Sequence, residues 1–195
     1  KKSTESTALN LLAIASMGRW HGYDRLIGGL HDYYSGGGRD AIVLHLVGDG
    51  PEIPRYRQLV RQYQLEDTVI FHGFKSGAEL DELFDICGVA IECLAAHRKG
   101  LHLSSSLKSR EYGAKGMPVV TSCEIDAFPS DICNYIMKVP EDDSNIDINQ
   151  IIKFYHSLIN EYGDEEKLAK QIRNDAKARC DISVVMKPII NYFQL

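Results

Sequence analysis

The amino-acid sequence predicts an α/β fold, an open parallel sheet with helices on both faces. Three observations carry this. Apolar runs of strand length alternate with segments whose apolar residues recur at helical spacing. Glycine-rich breaks separate them. No repeat or low-complexity linker divides the 195 residues, so 1–195 reads as one domain.

The elements follow in order. Residues 1–7 are polar and expected to be loose. Leu9 to Ala15 is a mostly apolar run ending at Met17-Gly18, a buried strand entering a tight turn. From Gly22, the positions Tyr23, Leu26, Ile27, Leu30, Tyr33 and Tyr34 mark a helix, stopped by Ser35 and Gly36-Gly37-Gly38. Ala41 to Val47 is the next strand, closed by Gly48-Asp49-Gly50-Pro51. Ile53, Tyr56, Leu59, Val60 and Tyr63 mark a second helix face. A short strand over Thr68–Phe71, a short helix over Glu79–Asp85 and a strand over Gly88–Leu94 continue the alternation.

A polar loop then runs from Ala95 to His102. A helix is expected from Ser104-Ser105-Ser106 to Lys115, broken by Gly116-Met117-Pro118 before the strand Val119–Thr121. A weaker strand lies near Tyr135–Val139. Ile148 to Tyr162 carries one helical face, and Leu168, Ile172 and Ala176 another. Residues 181–195 are expected to form a terminal helix that Pro188 bends or limits.

Composition narrows the class. Apolar residues are 44% and charged residues 25% of the chain, an ordinary globular mixture. No apolar run approaches the ~20 residues of a membrane span. The net charge of -5 argues against a general nucleic-acid surface, though not against a local basic pocket. Cys87, Cys93, Cys123, Cys133 and Cys180 show no Cys-x-x-Cys spacing, which suits reduced thiols of a cytoplasmic protein. The start Lys1-Lys2-Ser3, without Met, suggests a piece of a longer protein.

Right-handed crossovers place all strand carboxyl ends on one rim, where such sheets bind ligands. Gly18-Arg19-Trp20-His21-Gly22, Gly48-Asp49-Gly50, His72-Gly73-Phe74 and His97-Arg98-Lys99-Gly100 all fall there, followed by Ser104 to Glu111. The serine run opens a helix whose unpaired amides suit an anion, with Lys108 within reach; simple N-capping is the other reading. Glu111 lies three residues beyond Lys108 on the same face and suits the two hydroxyls of a ribose, or a surface ion pair. Arg19 suits a bidentate diphosphate contact, and His21 a donor or cation beside it; both also suit plain turn residues. Gly73 admits close approach of a base and Phe74 can lean on it, or serve as a hinge aromatic. The chain lacks the Gly-x-Gly-x-x-Gly fingerprint, the phosphate-loop motif, His-Glu-x-x-His, an EF-hand loop and Gly-x-Ser-x-Gly. His97 and His102 have no convincing carboxylate set for a metal.

Four segments in this order resemble a known family. They are Gly18-Arg19 with His21-Gly22, Leu46 to Gly50, Val69 to Phe74, and Ser106 to Val120. The resemblance is to the C-terminal donor-binding domain of retaining glycosyltransferases of the GT-B fold, family 4 or group 1. It implies a Rossmann-like sheet forming the C-terminal half of a two-domain enzyme whose N-terminal acceptor domain is absent from these residues. It also implies binding of a UDP- or GDP-linked sugar and its transfer with retention, with no metal or other cofactor required.

Arg19, Lys108 and Glu111 are the residues the resemblance marks as catalytic. Gly18, Arg19, His21, Gly22, Gly48, Gly73, Phe74, Ser106, Leu107, Lys108 and Glu111 are those it marks as donor-binding. His21 stands nearest a usual lysine. Glu111 matches the second glutamate of a Glu-x7-Glu pair, while Leu103 occupies the position of the first. The sugar-side contact is then expected from His97, Arg98 or another loop. The partners implied are a nucleotide-sugar and, through the missing domain, a sugar or lipid-linked acceptor. No nucleic acid is expected. Peripheral contact with the inner face of the membrane is open to the full-length protein. The fragment is expected to lack full turnover and to carry an apolar patch around Val184, Val185 and Ile189. The alternatives are a non-catalytic nucleotide-binding or partner module, and a nucleotide-sugar epimerase domain.

Overall fold

The structure, a computed structural model, describes residues 8–193. The expectation for residues 1–7 lies outside them. Five strands, β1 (Leu9–Ile14), β2 (Ile42–Val47), β3 (Val69–Gly73), β4 (Val89–Ile91) and β6 (Val119–Thr121), are joined by β8 (Ile136–Lys138) in one sheet. The order is β3-β2-β1-β4-β6-β8, and every pairing is parallel. The order reverses between β1 and β4, so a crevice opens there at the carboxyl edge.

Helices cover both faces, as the strand period dictates. Leu11 and Ala13 of β1 point into one core, with Leu26, Ile27 and Leu30 of α1 (Tyr23–Ser35) and Tyr56 and Val60 of α2 (Ile53–Gln62). Leu12 points into the other, with Leu83 and Phe84 of α3 (Ala78–Ile86) and Tyr112 of α4 (Leu107–Lys115). That second core also takes Leu168 and Ile172 of α6 (Glu165–Cys180). The preceding helix, α5 (Ile148–Tyr162), serves both, Ile148, Ile151 and Ile152 facing the first core and Leu158 the second.

The structure departs from the sequence reading in four places. The fourth strand stops at Ile91 instead of Leu94, because Leu94 and Ala95 give their amides to His21 and Trp20 of the β1–α1 loop. The third strand runs on through Gly73, closed by the bond from Gly48 N to Gly73 O at 2.7 Å. A separate two-stranded parallel sheet, β5 (Leu103–Ser104) with β7 (Glu124–Ile125), takes Ser104, where the sequence predicts a helix start, and α4 begins only at Leu107. The end of the chain is two short helices, α7 (Ile182–Val185) and α8 (Lys187–Phe193), meeting at Met186. Pro188 is the second residue of α8, where its missing N–H costs nothing.

Buried Arg25 of α1 ties the rim together. Its guanidinium donates to the carbonyls of Ser144 at 2.6 Å, Pro140 at 3.1 Å and Leu94. It thereby clips the 140–146 loop to the chain beyond β4.

Candidate functional site: a cleft at the β1–β4 crossover

Three strand ends build the cleft. Trp20 and His21 follow β1, Glu92, Cys93, Ala96 and Lys99 follow β4, and Cys123 follows β6. The segment from Leu101 through Lys108, carrying β5 and the start of α4, forms the far side, and the open cleft has a volume of about 260 Å³. Two larger hollows lie elsewhere. One of about 480 Å³ sits between the end of α1 and the start of α5. One of about 770 Å³ borders Gly88 and Pro118, which precede β4 and β6.

The β1–α1 loop is a tight 3-10 turn over Arg19–His21. Gly22 ends it at φ +67, and a Cβ there would stand 2.7 Å from the Ala95 Cβ and 2.8 Å from the Ala95 nitrogen. Only glycine lets this loop press against the chain after β4. Within the turn, the Gly18 amide donates to His21 Nδ1 at 2.9 Å. The Gly18 carbonyl lies farther from the same nitrogen, at 3.3 Å, so the shorter contact favours the tautomer with its proton on Nε2. Burial, reinforced by the charge of Lys108, pushes the imidazole down to about 4. At neutral pH His21 lines the cleft as an uncharged donor, not as a cation.

The far wall begins at Ser106, the N-cap of α4. Its hydroxyl accepts from Ser109 N at 3.1 Å and donates to Glu92 Oε1 at 2.5 Å. Ser106 alone of the serine run therefore caps the helix, and the amides of Leu107 and Lys108 precede any intrahelical acceptor. Lys108 Nζ lies 3.5 Å from Glu92 Oε1, with Lys108 22% and Glu92 1% exposed. Lys99 Nζ sits 3.2 Å over the Trp20 ring. The cleft thus holds two ammonium groups, one buried carboxylate and one neutral imidazole.

Of the residues anticipated from sequence, His21, Ser106 and Lys108 line this cleft. Arg19 is exposed on the turn beside it, Glu111 is exposed on α4, and Leu107 at the helix start is 84% exposed. Gly48, Gly73 and Phe74 lie at the ends of β2 and β3, and Phe74 is 81% exposed. Gly18 and Gly22 shape the turn: a Cβ on Gly18 would meet the Trp20 ring at 2.6 Å. Leu103 lines the cleft from β5.

Arg98 does not face a ligand as suggested. It grips Asp24 with both terminal nitrogens at 2.9 and 3.0 Å, Asp143 at 2.8 Å and the Arg19 carbonyl at 2.9 Å. His97 turns to the same Asp143 at 3.3 Å. Both serve to hold the loops.

Sequence reasoning missed Glu92. The available signal was an acid inside the apolar run Val89-Ala90-Ile91-Glu92-Cys93-Leu94, an expensive residue to bury without a purpose. Among the described residues, no group of three or more His, Cys, Asp or Glu is placed to hold a metal ion, and no helix is long and apolar enough to cross a membrane.

The family described as "Glycosyl transferases group 1" matches residues 2–179. The chain belongs to this family. Nothing among curated proteins matches. Solved structures share the fold. A glycosyltransferase from Rickettsia africae has a TM-score of 0.73 at 16% identity, over 97% of this chain and 48% of that one. HepE from Anabaena, solved with UDP and glucose, has a TM-score of 0.68 at 17% identity, over 96% and 48%. TarM from S. aureus, in a complex that includes UDP, has a TM-score of 0.68 at 16% identity, over 95% and 35%. The chain spans about half of these proteins or less. The Rossmann-like parallel sheet is the part of the GT-B glycosyltransferase fold that this group 1 chain shares with them.

Proposed function

We propose that this chain binds the nucleoside-diphosphate sugar of a glycosyl transfer, UDP- or GDP-linked, in the cleft at the β1–β4 crossover. One observation carries the reading. An uncharged imidazole donor, the Lys108 ammonium and the first amides of a helix converge where the strand order reverses. UDP in the complexes of HepE and TarM supports it.

His21 Nε2–H, Lys108 and the α4 amides would hold the diphosphate and stabilise its charge as the sugar departs. Arg19 would swing in from the exposed turn as a second guanidinium contact. Glu111 would take the ribose hydroxyls, and Phe74 with the open backbone at Gly73 the base. Transfer with retention, and an acceptor bound by an N-terminal domain outside these residues, complete the proposal.

Calorimetric titration with UDP and with GDP tests it. Saturable binding of one of them is the expected result. Failure of both to bind the folded protein at millimolar concentration refutes the reading.

A further inference from the structure

Among the residues lining the cleft, Glu92 is the only acid. It follows β4 directly, and its amide continues the ladder to the Val120 carbonyl at 2.9 Å. Its backbone is therefore fixed by the sheet. The carboxylate is fixed as well: Oε1 takes the Ser106 hydroxyl at 2.5 Å and faces Lys108 Nζ at 3.5 Å. Oε2 is different. It is shielded from solvent and has no hydrogen-bond partner among the described residues. A buried carboxylate oxygen without a donor is costly, so a partner for it should come from whatever fills the cleft.

The chemistry of that partner is constrained. A carboxylate only accepts, so the partner must bring O–H or N–H. A diphosphate brings neither at neutral pH and repels the charge. Phe74, proposed to take the base, follows β3, which stands three strand spacings from β4, or roughly 14 Å. The ribose hydroxyls are proposed to go to Glu111 on the exposed face of α4, so what remains of a nucleoside-diphosphate sugar is the glycosyl group.

We propose that Glu92 is a specificity residue for the donor sugar. Its Oε2 accepts a hydroxyl hydrogen, or the amide hydrogen of an N-acetylated sugar. It thereby selects a donor whose glycosyl group carries such a hydrogen at that point. This rests on the donor-binding reading above.

The test measures binding of UDP, UDP-glucose, UDP-galactose, UDP-N-acetylglucosamine, GDP and GDP-mannose to the wild type and to Glu92→Gln. The wild type should bind at least one nucleotide-sugar ~10-fold or more tighter than its bare nucleotide, the scale of one charge-assisted hydrogen bond. Glu92→Gln should cut that advantage several-fold, read as the ratio of nucleotide-sugar to bare-nucleotide affinity within each variant, so that any change at the paired Lys108 affects both ligands alike. An advantage unchanged in Glu92→Gln, or no sugar preferred over bare nucleotide by the wild type, overturns the Glu92 assignment alone. No binding of either nucleotide overturns the donor-binding reading and this inference with it. Should Glu92→Gln not fold, singly deoxygenated forms of the preferred donor are titrated against the wild type. One of them should lose ~10-fold, and losses by none would overturn the proposal.

Discussion

Substituting Lys108→Met isolates the charge pair at the centre of the site. Lys108 Nζ and Glu92 Oε1 stand 3.5 Å apart, and Glu92 is 1% exposed. At an effective dielectric of ~20, two charges at this separation attract by roughly 5 kcal/mol before any desolvation cost. Lys108 keeps 22% of its side chain in solvent, which screens part of that attraction. Removing one partner of a buried pair costs about 3–5 kcal/mol, because the other charge is left uncompensated. The lower end applies here, since the Ser106 hydroxyl still reaches Glu92 at 2.5 Å. Lys108→Met should therefore lose ~3 kcal/mol in urea unfolding at pH 7, a fall in Tm of about 6–12 °C for a chain of this size. The double variant Lys108→Met/Glu92→Gln should recover most of the loss, because no buried charge remains. A loss below ~1 kcal/mol, or a double variant no more stable than the single one, would show that the pair does not organise the cleft.

Other consequences are open to measurement. Burial pushes His21 and His45 down to about 4 from 6.5, and a base depressed by folding binds its proton more readily when unfolded. Stability should then fall as pH drops from 6.5 toward 4, by up to ~3 kcal/mol per histidine, with His45→Gln flattening the profile; a flat wild-type profile would contradict it. Gly22→Ala combines φ +67 with a Cβ 2.8 Å from the Ala95 nitrogen, so thermal melting should show a loss of about 2 kcal/mol or more, and an unchanged Tm would count against the tight loop. Glu111→Ala should weaken UDP or GDP by ~10-fold while leaving inorganic diphosphate nearly unchanged, and equal losses would reject the ribose role.

Local pattern made most of the fold legible. The period-two run Leu11, Leu12, Ala13 feeds alternate cores, and the helical spacing of Leu26, Ile27 and Leu30 reports burial directly. The glycines near strand ends marked the rim for the same local reason. What stayed hidden depends on partners distant in sequence. Leu103–Ser104 is a strand only because Glu124–Ile125 lies beside it. Arg98 reads as an available cation until Asp24 and Asp143 occupy it. Glu92 reads as a minor blemish in an apolar strand until Ser106 and Lys108 fold over it. The exposed apolar surface at the chain end was foreseen: Val184, Val185 and Ile189 are 40%, 52% and 47% exposed. Ile182, Tyr192 and Phe193 extend it.

The central claim is that a nucleoside diphosphate sits where β1 and β4 diverge. Amide chemical-shift mapping of the labelled protein with UDP and with GDP tests this most directly. The largest saturable shifts should fall on Gly18–Gly22 and on Ser106–Ser109. Shifts confined to the hollow between α1 and α5, or no shifts with either nucleotide, would contradict it.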